Sequence, residues 1–136
     1  MDVNPHLEFN GQCEAAFTLY ETCLGGKIGV MMTYGDSPMA DQTPRDWRNK
    51  ILHATLALGG HRLTGGDVAP ENYRKPQGFS VLLTIGTAPE ADRIFRTLAE
   101  EGVVQMPIQE TFWALRFGML ADRFGIPWIV QCGKPA

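Results

Sequence analysis

The side chains in this sequence able to do chemistry are three histidines, three cysteines and one glutamate set among aromatic residues. His6 stands in an alternating stretch, Asn4-Pro5-His6-Leu7-Glu8-Phe9. An imidazole changes charge near neutral pH, so it can act as a base, as a metal ligand or as a hydrogen-bonding anchor; a satisfied histidine at a strand end is the plainer reading. His53 lies in Ile51 to Leu58, where it either lines a cavity beside His6 or sits on a sheet surface. His61 follows Gly59-Gly60 and reads as solvated. Glu110 belongs to Gln109-Glu110-Thr111-Phe112-Trp113 and interrupts an apolar run beside two large rings. Partial burial there is expected to raise its carboxyl pKa and suit it to proton transfer as the catalytic group. The alternative is an ion pair with Arg116 or Arg123 that pins a hairpin. Ligand contacts are expected from His6, Glu8, His53, Ser80, Trp113 and Arg116.

Cys13, Cys23 and Cys132 are odd in number and lack a Cys-x-x-Cys spacing, which fits neither a disulfide framework nor a zinc site. They read as reduced thiols, either buried and structural or, in one case, reactive.

The elements that must position these groups follow from periodicity. His6 to Phe9 alternates as a short strand. Asn10 suits the N-cap of a helix from about Gly11 to Leu24, whose apolar face is Cys13, Ala16, Phe17, Tyr20 and Leu24 and which Gly25-Gly26 stops. Lys27 to Tyr34 reads as a strand. Gly35 to Lys50 has no period and carries Trp47, so it is a loop long enough to act as a lid. Ile51 to Leu58 and His61 to Gly65 form a hairpin about Gly59-Gly60. Asp67 to Gln77, with two prolines, reads as a linker.

The pattern then starts again. Phe79 to Ile85 is a strand, and Thr87-Ala-Pro-Glu90 is a capping box that opens a helix burying Ala91, Ile94, Phe95 and Leu98 and ending at Gly102. Val103 to Gln109, Leu115 to Ala121 and Trp128 to Cys132 supply three more strands. The sequence therefore predicts an α+β fold, one domain over 1–136 built of two βαβββ modules at about 1–68 and 78–136, joined by the 67–77 linker. Curved mixed sheets are expected to enclose a cavity, with one face of each sheet under a helix. Strand parity then leaves Asn4, His6, Glu8, Ser80, Leu82 and Thr84 on the cavity side.

Composition removes whole classes of function. With 44% hydrophobic and 20% charged residues the chain is an ordinary globular one. A formal charge of -3 argues against nucleic acid as a partner. No apolar run approaches a membrane span and no leader pattern is visible, so the expected location is cytoplasmic. The Gly-Gly pairs read as turns, since none opens a helix after a strand as a phosphate cradle does, and no nucleotide-like cofactor loop is present.

The βαβββ repeat, together with PHLEFNGQCEAAFTLYETCLGG, ILHATLALGG and MPIQETFWALRFGMLADRFGIPWIVQC in this order, resembles the phosphonate-operon B protein branch of the glyoxalase, bleomycin-resistance and extradiol-dioxygenase superfamily, the vicinal oxygen chelate fold. The resemblance spans nearly the whole chain. It implies a homodimer of paired modules and a small-molecule ligand. In enzymatic members it implies a divalent metal held by His, Glu or Gln from the first and fourth strands of the modules. Those positions fall here on Asn4, Thr64, Ser80 and Ile129, which offer no imidazole or carboxylate, whereas such metals need those donors in number. The resemblance thus implies a small-molecule-binding protein without the usual metal site and with no cofactor. The alternative is a divalent-metal-dependent lyase, isomerase or dioxygenase acting on adjacent oxygens, with His6 as the remaining metal candidate.

Overall fold

Each half of the chain runs strand, helix and then three strands, as the apolar periodicity predicts. The computed structural model describes residues 1–135, and two units divide between Arg74 and Lys75. The first holds β1 (His6–Phe9), α1 (Cys13–Leu24), β2 (Lys27–Thr33), β3 (Ile51–Leu58) and β4 (His61–Asp67). Its four-stranded sheet has the order β1-β4-β3-β2, with β1 parallel to β4 and the other pairs antiparallel. The second holds β5 (Val81–Thr84), α2 (Ala88–Ala99), β6 (Val103–Gln109), β7 (Ala114–Ala121) and β8 (Pro127–Gly133). The order β5-β8-β7-β6, with β5 parallel to β8, repeats the first sheet. Two four-stranded mixed sheets, each with its helix, make the fold α+β, as the βαβββ repeat predicts.

In the first unit α1 buries Cys13, Ala16, Phe17, Tyr20 and Cys23. Leu7, Phe9, Ala54, Leu56 and Leu63 are buried with them, and Phe17 meets Phe9 edge-on at 6.1 Å. Gly65 is required where β4 passes under Phe17, because a Cβ there would stand 2.7 Å from the ring and 2.8 Å from the Leu7 carbonyl. The second core has the same plan. Ala91, Ile94, Phe95 and Leu98 of α2 are buried, as are Leu120, Trp128 and Val130 of its sheet.

Several local expectations need correction. Asn10 does not cap α1. Gly11 stands at φ 91°, outside the helical region, and the N-cap is Gln12 without a side-chain bond. The acceptor comes instead from β4, where Asp67 Oδ1 takes the Cys13 amide at 2.9 Å and Oδ2 takes the Ile51 amide at 2.8 Å. Asp67 is thus the buried end of a strand rather than the start of a linker. Only half of the predicted capping box forms: Thr87 Oγ1 accepts the Glu90 amide at 3.4 Å, while the Glu90 carboxylate turns to Arg93. Gly102 is not the C-cap of α2, which is Glu100; it is a glycine because a Cβ would fall 2.3 Å from the Ala121 carbonyl.

Residues 35–50 fold into two short 3-10 turns, Ala40–Gln42 and Arg45–Trp47. The segment is tied by Ser37 and Thr43 hydroxyls donating to the Tyr34 and Met39 carbonyls, and by Lys50 Nζ donating to Gly11. Among the described residues no helix is long and apolar enough to cross a membrane. Cys13, Cys23 and Cys132 are buried and form no disulfide.

Candidate functional site

Residues directly opposite in neighbouring strands point to the same side of a sheet, so pairing register sorts the chemical groups. In the first sheet Leu7, Ala54, Leu56, Leu63 and Gly65 face α1, which leaves the alternate set on the helix-free face. One row on that face is His6, Thr64 and Thr55, paired across β1, β4 and β3. A second is Lys27, Ala57 and Arg62 across β2, β3 and β4. Glu8 stands opposite Gly66, and His53 opposite Met32. The structure therefore brings His6, Glu8 and His53 to one face, exposed.

Strict alternation is interrupted in β3: Ile51 is buried together with Ala54 and Leu56, and the pairing register with β2 shifts between Met32 and Thr33. His53 falls on the open side all the same.

His6 Nδ1 lies 2.7 Å from Thr64 Oγ1, and that hydroxyl also reaches the Pro5 carbonyl at 3.4 Å. One ring nitrogen is engaged, and Nε2 is left for a ligand. Thr55 Oγ1 accepts the Val30 amide at 2.9 Å, where the bulged edge strand β2 bends, and keeps its own hydrogen to donate. Behind the face, burial pushes the Cys13 thiol well up from its ordinary value, with the charges of Asp67 and Glu14 adding to it. Burial, then Asp67 and Glu8, also raise Tyr34, whose hydroxyl donates to the Asp67 carbonyl at 2.6 Å.

In the second unit the helix-free face carries Leu82, Ile129 and Met119 in one row and Thr84, Gln131 and Phe117 in the next. Gln131 Nε2 donates to Thr84 Oγ1 at 3.1 Å, a polar bridge between parallel strands like that of His6 and Thr64. Ser80, with Lys75, Phe79, Gln105, Met119 and Ile129, lines a cavity of about 690 Å³ on this unit. Trp113 packs edge-on against Phe112 at 4.7 Å and Phe117 at 5.2 Å; it is 48% exposed, and Phe112 is 89% exposed.

Glu110 and Arg116 are brought together, though on the other side of the sheet. Both line a groove of about 780 Å³ beside α2, with Asp92, Phe95, Arg96 and Ile108. The burial expected for Glu110 is not found. Strand β6 ends at Gln109, so Glu110 lies beyond it with its side chain 61% exposed. The proposed ion-pair partners are corrected as well: Lys134 Nζ lies 3.5 Å from Glu110, Arg116 Nε donates to Asp92 at 2.9 Å, and Arg123 pairs with Glu100 and Glu101. Aspartates 24 and 54 residues from their partners, Asp92 with Arg116 and Asp67 with Cys13, carry no local signal and escaped the sequence reading.

Among the described residues no group of three or more His, Cys, Asp or Glu side chains gathers to hold an ion, and Thr64 and Ile129 occupy strand positions where the resemblance implies ligands.

Residues 1–131 match the family model described as 3-demethylubiquinone-9 3-methyltransferase. The chain belongs to that family. Among its relatives, protein YjdN of Escherichia coli is 31% identical, the alignment covering 98% of this chain and 97% of YjdN. The crystal structure of protein PA1353 from Pseudomonas aeruginosa is 43% identical, covers 99% of each chain and superposes with a TM-score of 0.91. A Bacillus cereus PhnB protein, named there as a putative 3-demethylubiquinone-9 3-methyltransferase, shares the fold at 24% identity, with 98% and 100% of the chains covered and a TM-score of 0.83. A glyoxylase, bleomycin-resistance protein and dioxygenase domain from Frankia and the fosfomycin resistance protein FosX from Mesorhizobium loti share the fold alone. The fold is thus one that this chain shares with a PhnB protein and with a glyoxylase, bleomycin-resistance and dioxygenase domain.

Proposed function

We propose that this PhnB-like chain binds a small molecule on the helix-free face of its first sheet. The observation that carries the reading is the gathering of His6, Glu8, His53 and Thr64 on that one face, while the opposite face is closed by apolar packing under α1. Groups held on paired strands keep their spacing without a ligand, so little ordering remains to be done on binding. His6 presents Nε2, Thr55 a hydroxyl hydrogen and Glu8 two acceptor oxygens. This is a recognition surface of mixed donors and acceptors, with exposed Met32 as an apolar neighbour. Ser80 and the cavity around it are a second, more apolar contact region.

Glu110 and Arg116 stand apart from that face. With Glu110 solvated and joined to Lys134, we assign it no proton transfer. The family description names a methyl transfer, but no Gly-rich strand-to-helix loop accompanies either helix, and the proposal takes no activity from that name. The reading includes a homodimer, supported by the exposed apolar surface of Phe112 and Trp113, and a reducing, cytoplasmic setting, supported by three buried thiols outside any disulfide.

The test is a thermal-shift screen of the full chain against metabolite-sized anions, neutral polar compounds and divalent metal salts, repeated on His6→Ala. A ligand that binds only the folded state at about a hundred times its Kd adds about 2.7 kcal/mol of stability. The reading expects a small molecule to raise the melting temperature of the parent more than that of the variant. Shifts from small molecules that His6→Ala leaves untouched would contradict it.

A further inference from the structure

Lys27 and Arg62 stand in one row of the helix-free face with only the methyl group of Ala57 between them. Adjacent strands lie about 4.8 Å apart, so the two side chains rise about 10 Å from each other and can lean together over Ala57. Both are exposed. Among the described residues neither takes part in an ion pair or hydrogen bond, whereas Arg93, Arg116, Arg123 and Lys134 each meet a carboxylate. Two cations in one row without a carboxylate partner favour an anion between them.

The neighbouring row adds uncharged donors. Arg62 and Thr64 are two residues apart on β4 and share a face. The Thr55 hydroxyl is free to donate, and His6 Nε2 is unengaged. A pocket of about 200 Å³ lined by Asn4, Ala57, His61 and Arg62, with Asp2 and the Gly59-Gly60 turn, adjoins the cationic row. That volume suits a single oxyanion group rather than a large ligand. The acids near the row are Asp2, in the pocket wall, Glu21, whose carboxylate accepts the Ile28 amide at 2.7 Å beside Lys27, and Glu8, opposite Gly66 and two residues along β1 from His6. Lys27 and Arg62 thus stand at the β3–β4 turn end of the face, and Glu8 at the other end.

We propose that the Lys27-Ala57-Arg62 row is the anion-binding end of this face and takes the carboxylate or phosphoryl group of a small organic anion, with Arg62 forming the planar two-bond contact and Lys27 acting as a point charge. The inference rests on the reading of the face as a small-molecule site and adds the class of ligand. His6 and Glu8 then meet the remainder of the molecule.

The experiment is an amide chemical-shift titration of the full chain with inorganic phosphate, methylphosphonate and acetate as the anions, and acetamide and glycerol as neutral probes. It is repeated on Lys27→Ala and Arg62→Ala, and on Lys134→Ala as a control cation elsewhere. Saturable shifts at Thr55, Ala57 and Arg62, weakened about tenfold in either row variant and unchanged in the control, are expected. Phosphate against acetate tells which oxyanion the row prefers. Unchanged melting temperatures in the row variants exclude unfolding as the cause of a loss. Equal anion affinity in parent and row variants, or anion shifts confined to other regions, would overturn the inference. Neutral probes shifting His6, Glu8 and His53 while anions do not would overturn the anion assignment and leave the small-molecule face standing; no shift on the face from any probe would overturn both.

Discussion

Replacing Asp67 removes the one side chain that ties together three parts of the first unit. Its carboxylate is buried at 2% exposure and accepts the amide of Cys13 at the start of α1 and that of Ile51 at the start of β3. Asp67→Ala leaves both amides without an acceptor. A buried donor left unpaired costs about 1–3 kcal/mol, so two cost about 2–6 kcal/mol. The negative charge at the N-terminus of α1 contributes a further 0.3–1 kcal/mol or about that. Asp67→Asn keeps one acceptor oxygen and is expected to lose about half as much. Urea unfolding at neutral pH, followed by circular dichroism, measures both: the midpoint falls in the order parent, Asn, Ala, while the slope m stays constant. A large fraction of the stability of a domain this size is at stake. An Asp67→Ala midpoint within about 0.5 kcal/mol of the parent would refute the reasoning, since that is the range of a surface change away from any such network.

Cys13 is expected to resist alkylation by iodoacetamide in the native chain at pH 8 and to react once unfolded, and native reaction at the rate of a free thiol would contradict this. Its folded-state pKa lies above the ordinary 9.0, so the stabilisation is complete below that pH and is lost as pH rises past it, at up to about 1.4 kcal/mol per unit; urea midpoints at pH 8 and pH 10 for the parent and Cys13→Ala measure the effect. Gly65→Ala drives a methyl against the Phe17 ring and the Leu7 carbonyl and is expected to cost about 1–3 kcal/mol in the same assay. Glu110→Gln, which removes an exposed pair with Lys134, is expected to change stability by about 0.5 kcal/mol or less and to leave ligand shifts on the first sheet unaltered.

The order of elements was legible because it is written in local spacing. The apolar face of α2, the Gly-Gly turn after Leu58 and the alternation of Leu7 with Phe9 each fix an element from a few consecutive residues. Asp67 was not legible as the cap of α1, since its partner amide is 54 residues away and Asn10 offered a plausible local substitute. Parity worked in β1, where His6 and Glu8 fall opposite Leu7 and Phe9. It failed along β3, where the register against β2 shifts and Ile51, Ala54 and Leu56 share the same core. Glu110 was misjudged because aromatic neighbours in sequence were taken for a burying environment. Phe112 is itself almost wholly exposed and Glu110 lies past the end of β6. The row of Lys27, Ala57 and Arg62 depends on the register of three strands and is invisible before the sheet is assembled.

Ligand recognition is assigned here to the helix-free face of the first sheet. Mapping the strongest small-molecule hit by amide and imidazole chemical shifts tests it most directly. Perturbations are expected to cluster on His6, Glu8, His53, Thr55 and Thr64, with His6 Nε2 as the ring nitrogen that responds. Perturbations confined to the groove of Glu110 and Arg116, with the first sheet silent, would contradict it.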